Sequence, residues 1–316
     1  MNLAKSILEG NRLALARALS LVENDAPQGR ELLNALFPYT GQAHIIGITG
    51  APGTGKSSLV NQLARQFRQL SCEEQPYRVA IIAVDPTSPF SGGAILGDRI
   101  RMRDLSGDPG IFIRSMASRG SLGGLASSTA AAAQLFDASG FEVILIETVG
   151  VGQAEVDIAR LAHTTLVIET PGSGDDIQAI KAGILEIADI LVINKADQPG
   201  VESIERALRA MLELADNHPE WTPPIQHTVA TQGTGIAELV ETICQHRQHL
   251  RSTGEWQQRD RLRLKAELDL LLRESLVVRW REAVPETLYQ RTLEALSDRQ
   301  ISPHQAVRIL LDGDQP

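Results

Sequence analysis

The stretch HIIGITGAPGTGKSSLVNQL at residues 44–63 contains a short apolar run, a glycine-rich turn and the start of a helix-forming segment. The turn, Gly50 to Ser57, has the spacing G-x-x-x-x-G-K-[ST]. Glycines there let successive backbone N–H groups point into the turn, and the following helix adds the positive end of its dipole. The alternative is an ordinary glycine-rich turn that contains Lys-Ser. The flanking strand and helix favour a phosphate-binding loop.

The predicted loop supplies both a charge and a metal ligand. Lys56 would contact the β- and γ-phosphates of a nucleotide, and the Ser57 hydroxyl would bind Mg²⁺. The residues predicted to bind the phosphates are Gly50, Ala51, Pro52, Gly53, Thr54, Gly55, Lys56, Ser57 and Ser58.

Short apolar runs alternate with helical segments from His44 onward, and this alternation predicts an α/β fold. Several runs, such as VAIIAV and EVILIE, are apolar without a polar face, as in central strands that are buried on both sides. We therefore predict a doubly wound, mostly parallel sheet with helices on both faces. The predicted strands are His44–Thr49, Val79–Val84, Phe141–Ile146, Thr164–Ile168, Ile190–Ile193 and Gln226–Ala230. Residues 86–97 and 116–124 are rich in Gly, Ser and Pro, which indicates loops.

Helical segments flank this region on both sides. We predict an N-terminal helical extension at 1–41, with an amphipathic helix at 3–22 and a second near 31–36, a P-loop domain at 42–253, and a C-terminal helical extension at 254–316. Helices are predicted at 234–250 and 256–283, and Pro285 and Pro303 would open two shorter ones. The apolar seam of the long helix consists of Leu262, Leu268, Leu272, Leu276 and Val277. It could pair with a second copy, giving a homodimer, or fold back on the sheet domain.

A candidate base-recognition motif, Asn194-Lys195-Ala196-Asp197, closes the strand DILVIN. The Asp197 carboxylate can accept hydrogen bonds from guanine N1–H and the 2-amino group, whereas adenine lacks that donor. Asn194 would contact the other edge of guanine, and the Lys195 stem would cover the ring. A strand end with an ordinary polar turn is the alternative, but the P-loop upstream and Gln232-Gly233 downstream favour guanine binding.

Acidic residues at strand ends are the candidate Mg²⁺ ligands. Glu147 ends FEVILIE, and Gly150, three residues later, would sense the γ-phosphate. Asp85 ends VAIIAVD, and Asp98 follows a glycine-rich segment; a solvated turn carboxylate is the alternative for Asp85, and surface pairing with nearby arginines is the alternative for Asp98.

The residue that would orient the attacking water is not evident. The place directly after Gly150, where small GTPases carry glutamine, holds Val151, and Gln153 is a possible substitute. We therefore predict slow intrinsic GTP hydrolysis that a partner accelerates.

Composition excludes several classes of protein. With 43% hydrophobic and 22% charged residues the chain is not of the disordered class, and its net charge of −9 argues against nucleic-acid and acidic-membrane partners. No apolar run reaches the ~18 residues of a spanning helix. Cys72 and Cys244 are the two cysteines, expected to be structural thiols in a reducing, cytoplasmic setting.

Several blocks together closely resemble the metallochaperone-type GTPases that serve adenosylcobalamin-dependent methylmalonyl-CoA mutase. Besides the P-loop and NKAD, the resemblance rests on VDPTSPFSGGAILGDRIRM at 84–102, ETVGVGQAEVD at 147–157 and ETPGSGDDIQAIKAGI at 169–184. The same family carries an older label as a lysine/arginine/ornithine transport kinase. The resemblance implies a homodimeric GTPase that gates cofactor loading of a mutase, helps to release damaged cofactor and protects the bound enzyme.

The resemblance also implies roles for individual residues. Ser57, Asp85, Asp98 and Glu147 would surround Mg²⁺, and Lys56 would serve catalysis together with Glu147 and Gly150. The segment 171–182 would couple the nucleotide site to the mutase. Its Asp175, Asp176 and Lys181 suit a switchable contact, although acids at a helix N-terminus are a simpler reading.

Two other functions share the P-loop. A metabolic kinase linked to basic amino-acid transport would prefer ATP and would not need NKAD. A GTPase that delivers nickel to another enzyme would commonly display Cys or His clusters. Here only His246 and His249 share a predicted helix face, among residues expected to be exposed.

Overall fold

The structure, a computed structural model, describes residues 3–72, 75–86, 103–105, 107–118, 124–148, 154–171, 186–213 and 220–312. The strands of the main sheet are β1 His44–Gly50, β2 Val79–Pro86, β3 Ile111–Ser118, β4 Val143–Glu147, β5 Thr164–Glu169, β6 Ile190–Asn194 and β7 Ile225–Thr228. The helices of the described ranges are α1 Leu3–Leu8, α2 Arg12–Glu23, α3 Pro27–Leu36, α4 Lys56–Gln69, α5 Gly124–Ala138, α6 Ala154–Leu161, α7 Val201–Glu213, α8 Ile236–Thr253, α9 Glu255–Ala283, α10 Glu286–Ser297 and α11 Pro303–Asp312.

The seven strands form one parallel sheet in the order β3-β2-β4-β1-β5-β6-β7. After β1 the chain crosses to β2 and β3, returns to β4, and then continues on the far side of β1. This reversal of direction beside β1 is where ligands bind in open α/β sheets. The predicted doubly wound, parallel α/β fold is confirmed.

Alternate residues of the central strands pack into separate cores on the two faces of the sheet. Ile45 and Ile144 face the core covered by α1, α2, α3, α5 and α6, whereas Ile46 and Leu145 face the core covered by α4 and α8. Because both faces are buried, the strands are continuously apolar, which is why a run such as VILIE lacks alternation.

Three predictions of secondary structure need correction. The segment from Met116, expected to be a loop, continues a strand as far as Ser118, and this strand pairs with β2 along its whole length. The glycine- and serine-rich residues that follow Met116 made this segment resemble a loop. Met116 itself packs in the core and is only 2% exposed.

The N-terminal helix predicted at 3–22 is in fact two helices. Gly10 has a φ of 79°, and the side chain of Asn11 caps α2 by accepting hydrogen bonds from the N–H groups of Leu13 and Ala14, both at 3.0 Å. A left-handed glycine followed by an N-cap asparagine ends one helix and begins the next.

The last strand is shorter than expected. The predicted strand reached Ala230, whereas β7 ends at Thr228. Val229 enters a tight turn, in which its N–H donates to Thr234 O and its carbonyl accepts from Gln232 and Gly233.

The chain divides into two compact units, Met1–Arg263 and Leu264–Pro316. In the first unit, the N-terminal helices share the core of one face of the sheet. In the second, Trp280 donates its indole N–H to Leu310 O at 3.0 Å. A groove of about 470 Å³ in this unit is lined by Leu276, Val277, Trp280, Val307, Leu310 and Leu311. As expected, Pro285 and Pro303 stand where the two short helices begin.

No helix within the described ranges is both long enough and apolar enough to cross a membrane.

Candidate nucleotide-binding site

The candidate site lies at the carboxyl ends of the parallel strands, beside β1. Gly50 ends β1 and opens the glycine-rich loop, and α4 starts at Lys56. Glu147 ends β4, the neighbouring strand, with Ile48 of β1 as its register partner. Loop, helix N-terminus and carboxylate therefore meet where the strand order reverses.

The loop takes its shape from glycines that no other residue could replace without strain. Gly50, Gly53 and Gly55 have φ values of 140°, 83° and 90°. A Cβ on Gly50 would lie 2.2 Å from Ile168 O, and one on Gly55 would lie 2.4 Å from Asn194 Nδ2. The backbone of the loop thus packs directly against β5 and the NKAD motif, which fixes its position on the sheet.

Lys56 is folded into the loop. Its ammonium group donates hydrogen bonds to the carbonyl oxygens of Gly50 at 2.7 Å and Ala51 at 2.9 Å, and the residue is only 6% exposed. The hydroxyl of Thr54 closes the same turn by donating to Ala51 O at 2.9 Å. The N-cap of α4 is Gly55, which has no side chain with which to cap the helix, so the positive end of the helix dipole faces the backbone of the loop.

The two candidate metal ligands of this part of the site are already in contact. The Ser57 hydroxyl donates to Glu147 Oε1 at 2.6 Å, and Glu147 is 5% exposed. A hydroxyl and a carboxylate at this distance offer two oxygen ligands of the kind that Mg²⁺ prefers.

Asn194 joins three segments of the site. Its Nδ2 donates to Thr54 O at 2.7 Å, and its Oδ1 accepts from the Thr228 hydroxyl and the Ala230 N–H, both at 3.1 Å. The side chain is 2% exposed. The sequence predicted a contact to guanine, whereas the hydrogen bonds of this side chain join the P-loop to β7 and the turn after it.

The remaining residues of the base motif surround this junction. Lys195 has a φ of 57° and donates from Nζ to Gly53 O at 2.9 Å, so its stem runs back toward the P-loop. Asp197 is exposed, as are Gln232 and Ser58, whereas Gly233 is half-buried in the turn after β7. The exposed Asp197 carboxylate, two residues after the lysine that contacts the P-loop, is accessible to a base.

Some predicted site residues fall outside the description. Asp98 and Gly150 lie outside the described residues, as do Val151, Gln153 and all of the predicted coupling segment except Pro171. The backbone of Asp85 lies at the carboxyl end of β2, where it pairs with Ala117. This places Asp85 at the same edge of the sheet as Glu147, which pairs with Ala83.

Sequence reasoning missed two partners of the site, Thr228 and the carbonyl of Thr54. Only a polar residue at the end of β7 signals the first, and no side-chain pattern signals a backbone carbonyl. The buried histidines were also missed. His246 was expected to be exposed but is 0% exposed.

His246 belongs to a polar network at the opposite edge of the sheet, where the strands begin. Thr164 Oγ1 lies 2.9 Å from His246 Nδ1 and 2.7 Å from His44 Nε2. Burial lowers the pKa of His246 to about 4, against the opposing effect of Asp189. Asp189 in turn accepts two hydrogen bonds of 2.8 Å from the guanidinium of Arg259 on α9. His246 thus takes part in packing the helices against the sheet.

Comparison with known proteins agrees with this geometry. The family model described as "Methylmalonyl Co-A mutase-associated GTPase MeaB" matches residues 15–285. A protein of Pyrococcus abyssi, provisionally named a GTPase, is 44% identical over 312 residues, which cover 98% of this chain and 95% of that protein. A mouse protein named "Methylmalonic aciduria type A homolog, mitochondrial" is 34% identical over 270 residues, which cover 79% of this chain and 63% of that protein.

A solved structure is also similar over nearly the whole chain. It is described as a crystal structure of an LAO/AO transport system kinase, and it matches with a TM-score of 0.73 at 27% identity. The match covers 98% of this chain and 95% of that chain.

Proposed function

This chain belongs to the family of methylmalonyl-CoA mutase-associated GTPases, and from that premise we propose that it is a chaperone of an adenosylcobalamin-dependent mutase. It is a P-loop GTPase that binds guanine nucleotide and hydrolyses GTP. We propose that this cycle gates loading of the mutase with cofactor, protects the loaded enzyme and allows damaged cofactor to be replaced.

The family description carries the choice of client. The name of the mouse relative refers to methylmalonic aciduria, which agrees with a client enzyme that acts on methylmalonyl-CoA. Methylmalonyl-CoA mutase is therefore the first client to test, and a related mutase is the second.

In the proposed cycle the loop holds the phosphates and the strand ends read the base. Lys56, released from the carbonyls of Gly50 and Ala51, would move to the β- and γ-phosphates, because an ammonium group exchanges two neutral acceptors for charged ones. Asp197 would accept the two donors of guanine. The backbone N–H of Gly150 would contact the γ-phosphate.

Mg²⁺ is the metal that these residues fit. The Ser57 hydroxyl and Glu147 carboxylate, 2.6 Å apart, form an all-oxygen donor set, and the Asp85 backbone lies at the same edge. Ser57, Glu147, Asp85 and Asp98 would hold the ion. Bound there, Mg²⁺ would neutralise the charge that develops between the β- and γ-phosphates.

The proposal is tested by measuring GTP hydrolysis with and without purified methylmalonyl-CoA mutase, with ATP as the control nucleotide. We expect slow hydrolysis alone and at least a tenfold increase with the mutase, because a partner can supply or order a missing catalytic element. Only GTP should respond. A rate that the mutase leaves unchanged, with GTP binding intact, would remove this client and leave the GTPase assignment standing.

A kinase acting in basic amino-acid transport is the second candidate, because the similar solved structure is described as a transport system kinase. The two functions differ in the nucleotide. ATP hydrolysis or phosphoryl transfer that exceeds GTP turnover would favour the kinase.

We also propose that the chain forms a homodimer in the cytoplasm. The second unit exposes apolar side chains along α9, including Leu268 at 64%, Leu276 at 55% and Val277 at 61%, next to the 470 Å³ groove. Contiguous exposed apolar surface of this kind marks an interaction site. A second copy of the chain would bury this apolar surface. The low cysteine count agrees with a reducing compartment such as the cytoplasm.

A further inference from the structure

Three side chains that can bind metal converge at the corner between α8 and α9. Glu220, His249 and Glu255 each offer one ligand atom, and these atoms lie within 4.8 Å of one another. The indole N–H of Trp221, adjacent to Glu220, donates to Asp189 O directly before β6. The cluster therefore lies at the edge where the strands begin, opposite to the P-loop, and takes no part in the nucleotide site.

One ring nitrogen of His249 lacks a hydrogen-bond partner in the described part of the chain. Its Nε2 is shielded from solvent and has no hydrogen-bond partner among the described residues. The nearest recorded carboxylate oxygen, Glu255 Oε1, is 3.6 Å away, beyond hydrogen-bond distance. Trp221 covers the imidazole, with ring centroids 5.3 Å apart. A shielded nitrogen without a partner costs free energy, which a bound cation at this point would recover.

The donor set selects a class of metal. One imidazole nitrogen and two carboxylate oxygens suit Zn²⁺ and its transition-metal neighbours, whereas Mg²⁺ and Ca²⁺ prefer oxygen ligands alone. The two carboxylates balance the charge of a divalent ion. The two carboxylate oxygens of Glu255 have different neighbours: Oε2 lies 3.8 Å from the guanidinium of Arg259, whereas Oε1 faces His249.

The geometry requires only a small adjustment. Metal–ligand distances of about 2.0–2.2 Å place tetrahedral ligand atoms roughly 3.4 Å apart. Glu220 is exposed, and Glu255 opens α9 directly after the left-handed Gly254, so both carboxylates lie at the surface end of the cluster. Rotation of the exposed Glu220 side chain can supply most of the movement.

We propose that Glu220, His249 and Glu255 form a binding site for one Zn²⁺-class ion, with water as the fourth ligand. The ion ties the end of α8 and the start of α9 to the segment before β7. It holds the corner from which the long helix begins.

The test uses the full chain, freed of metal and then saturated with GDP and excess Mg²⁺ so that the P-loop is occupied. Zn²⁺ binding is measured by equilibrium dialysis, and Co²⁺ binding by its visible absorption, which is intense for tetrahedral sites. We expect one Zn²⁺ per chain that excess Mg²⁺ does not displace. Glu220→Gln and His249→Ala should each weaken Zn²⁺ binding at least tenfold.

The matched control is His227→Ala. His227 Nε2 lies 3.2 Å from Glu205 Oε2, a His–Glu pair that is not part of a three-ligand cluster among the described residues. This variant should retain the affinity of the unmodified chain. Because Glu220 is exposed, Glu220→Gln should fold normally, which separates loss of a ligand from loss of structure. Absence of saturable Zn²⁺ binding, or binding that survives in both ligand variants, overturns the proposal.

Discussion

The side-chain amide of Asn194 donates a 2.7 Å hydrogen bond to the carbonyl oxygen of Thr54, so the end of β6 and the phosphate loop are directly joined. The same side chain accepts from Thr228 and Ala230 through its oxygen. One buried amide thus joins three segments of the candidate nucleotide-binding site, and a change in any one of them affects the position of the others.

Asn194→Ala should damage both stability and nucleotide binding. The substitution leaves the buried N–H of Ala230 and hydroxyl of Thr228 without their acceptor, at a cost of about 1–3 kcal/mol for each unsatisfied group. We expect a lower free energy of unfolding in urea and at least a tenfold weaker GDP affinity by calorimetry. Asn34→Ala, at an exposed position on α3, is the control and should change neither quantity. Equal effects of both substitutions would contradict the joining role of Asn194.

Asp197→Asn should change base preference with little effect on folding. Asp197 is exposed, so its replacement leaves no buried group unsatisfied. An amide at this position faces the guanine 2-amino group with a second donor, whereas xanthine presents an oxygen there. We expect GTP affinity to fall by roughly 10²-fold or more and xanthosine triphosphate affinity to rise, in keeping with the cost of mispaired polar groups. Unaltered GTP selectivity would show that another residue reads the base.

Gly50→Ala should destabilise the protein far more than Gly53→Ala. Both glycines have positive φ, but a Cβ on Gly50 would lie 2.2 Å from Ile168 O, whereas one on Gly53 meets nothing within 4 Å. Alanine at Gly53 therefore costs about 1–2 kcal/mol of backbone strain, and alanine at Gly50 adds the displacement of a strand. Urea unfolding without nucleotide measures the difference, and similar midpoints for the two variants would disprove the clash.

The free energy of unfolding should decrease as the pH falls below about 6.5. Burial lowers the pKa of His246 to about 4 and also lowers the pKa of His44 and His163, so the unfolded chain binds protons that the native state resists. Between pH 6.5 and 4 His246 contributes a slope of up to about 1.4 kcal/mol per pH unit, and above this range its contribution is constant. His44 and His163 lower the free energy of unfolding in the same direction, because burial lowers their pKa as well.

Urea titrations from pH 5 to pH 7.5 measure this slope. His304→Gln, at an exposed position on α11, should leave it unchanged, whereas His246→Gln should reduce it. A free energy of unfolding that does not depend on pH would mean that the histidines have the same pKa in the native state as in the unfolded chain.

Val277→Asp should convert the proposed dimer into a monomer. Val277 is 61% exposed and lines the apolar groove of the second unit, so a carboxylate there would be buried without a partner in a dimer. Light scattering after size exclusion measures the mass. Leu13→Asp, at a position on α2 that is 62% exposed, controls for charge and should keep the mass of the unmodified chain. A dimer that persists in Val277→Asp places the interface elsewhere.

The fold and the glycine-rich loop between β1 and α4 could be predicted from short segments. The spacing of Gly50, Gly55 and Lys56 implies a loop between a strand and a helix, and uninterrupted apolar runs imply strands buried on both faces. These inferences succeeded because backbone conformation and burial within a few residues depend on local residue type. The strand β3 was not predicted, and one reason is the same: its last residues have the local composition of a loop.

The amino-acid sequence determined the parallel α/β sheet, the P-loop and the chemistry available at each strand end, because each of these depends on residues close together in the chain. Only the tertiary structure decided which distant groups meet. Asn194 contacts a carbonyl 140 residues away, and Thr164 brings His44 and His246 together. Such pairs depend on the order of the strands in the sheet and on which face of the sheet a helix covers. Neither can be inferred from the spacing of residues along the chain.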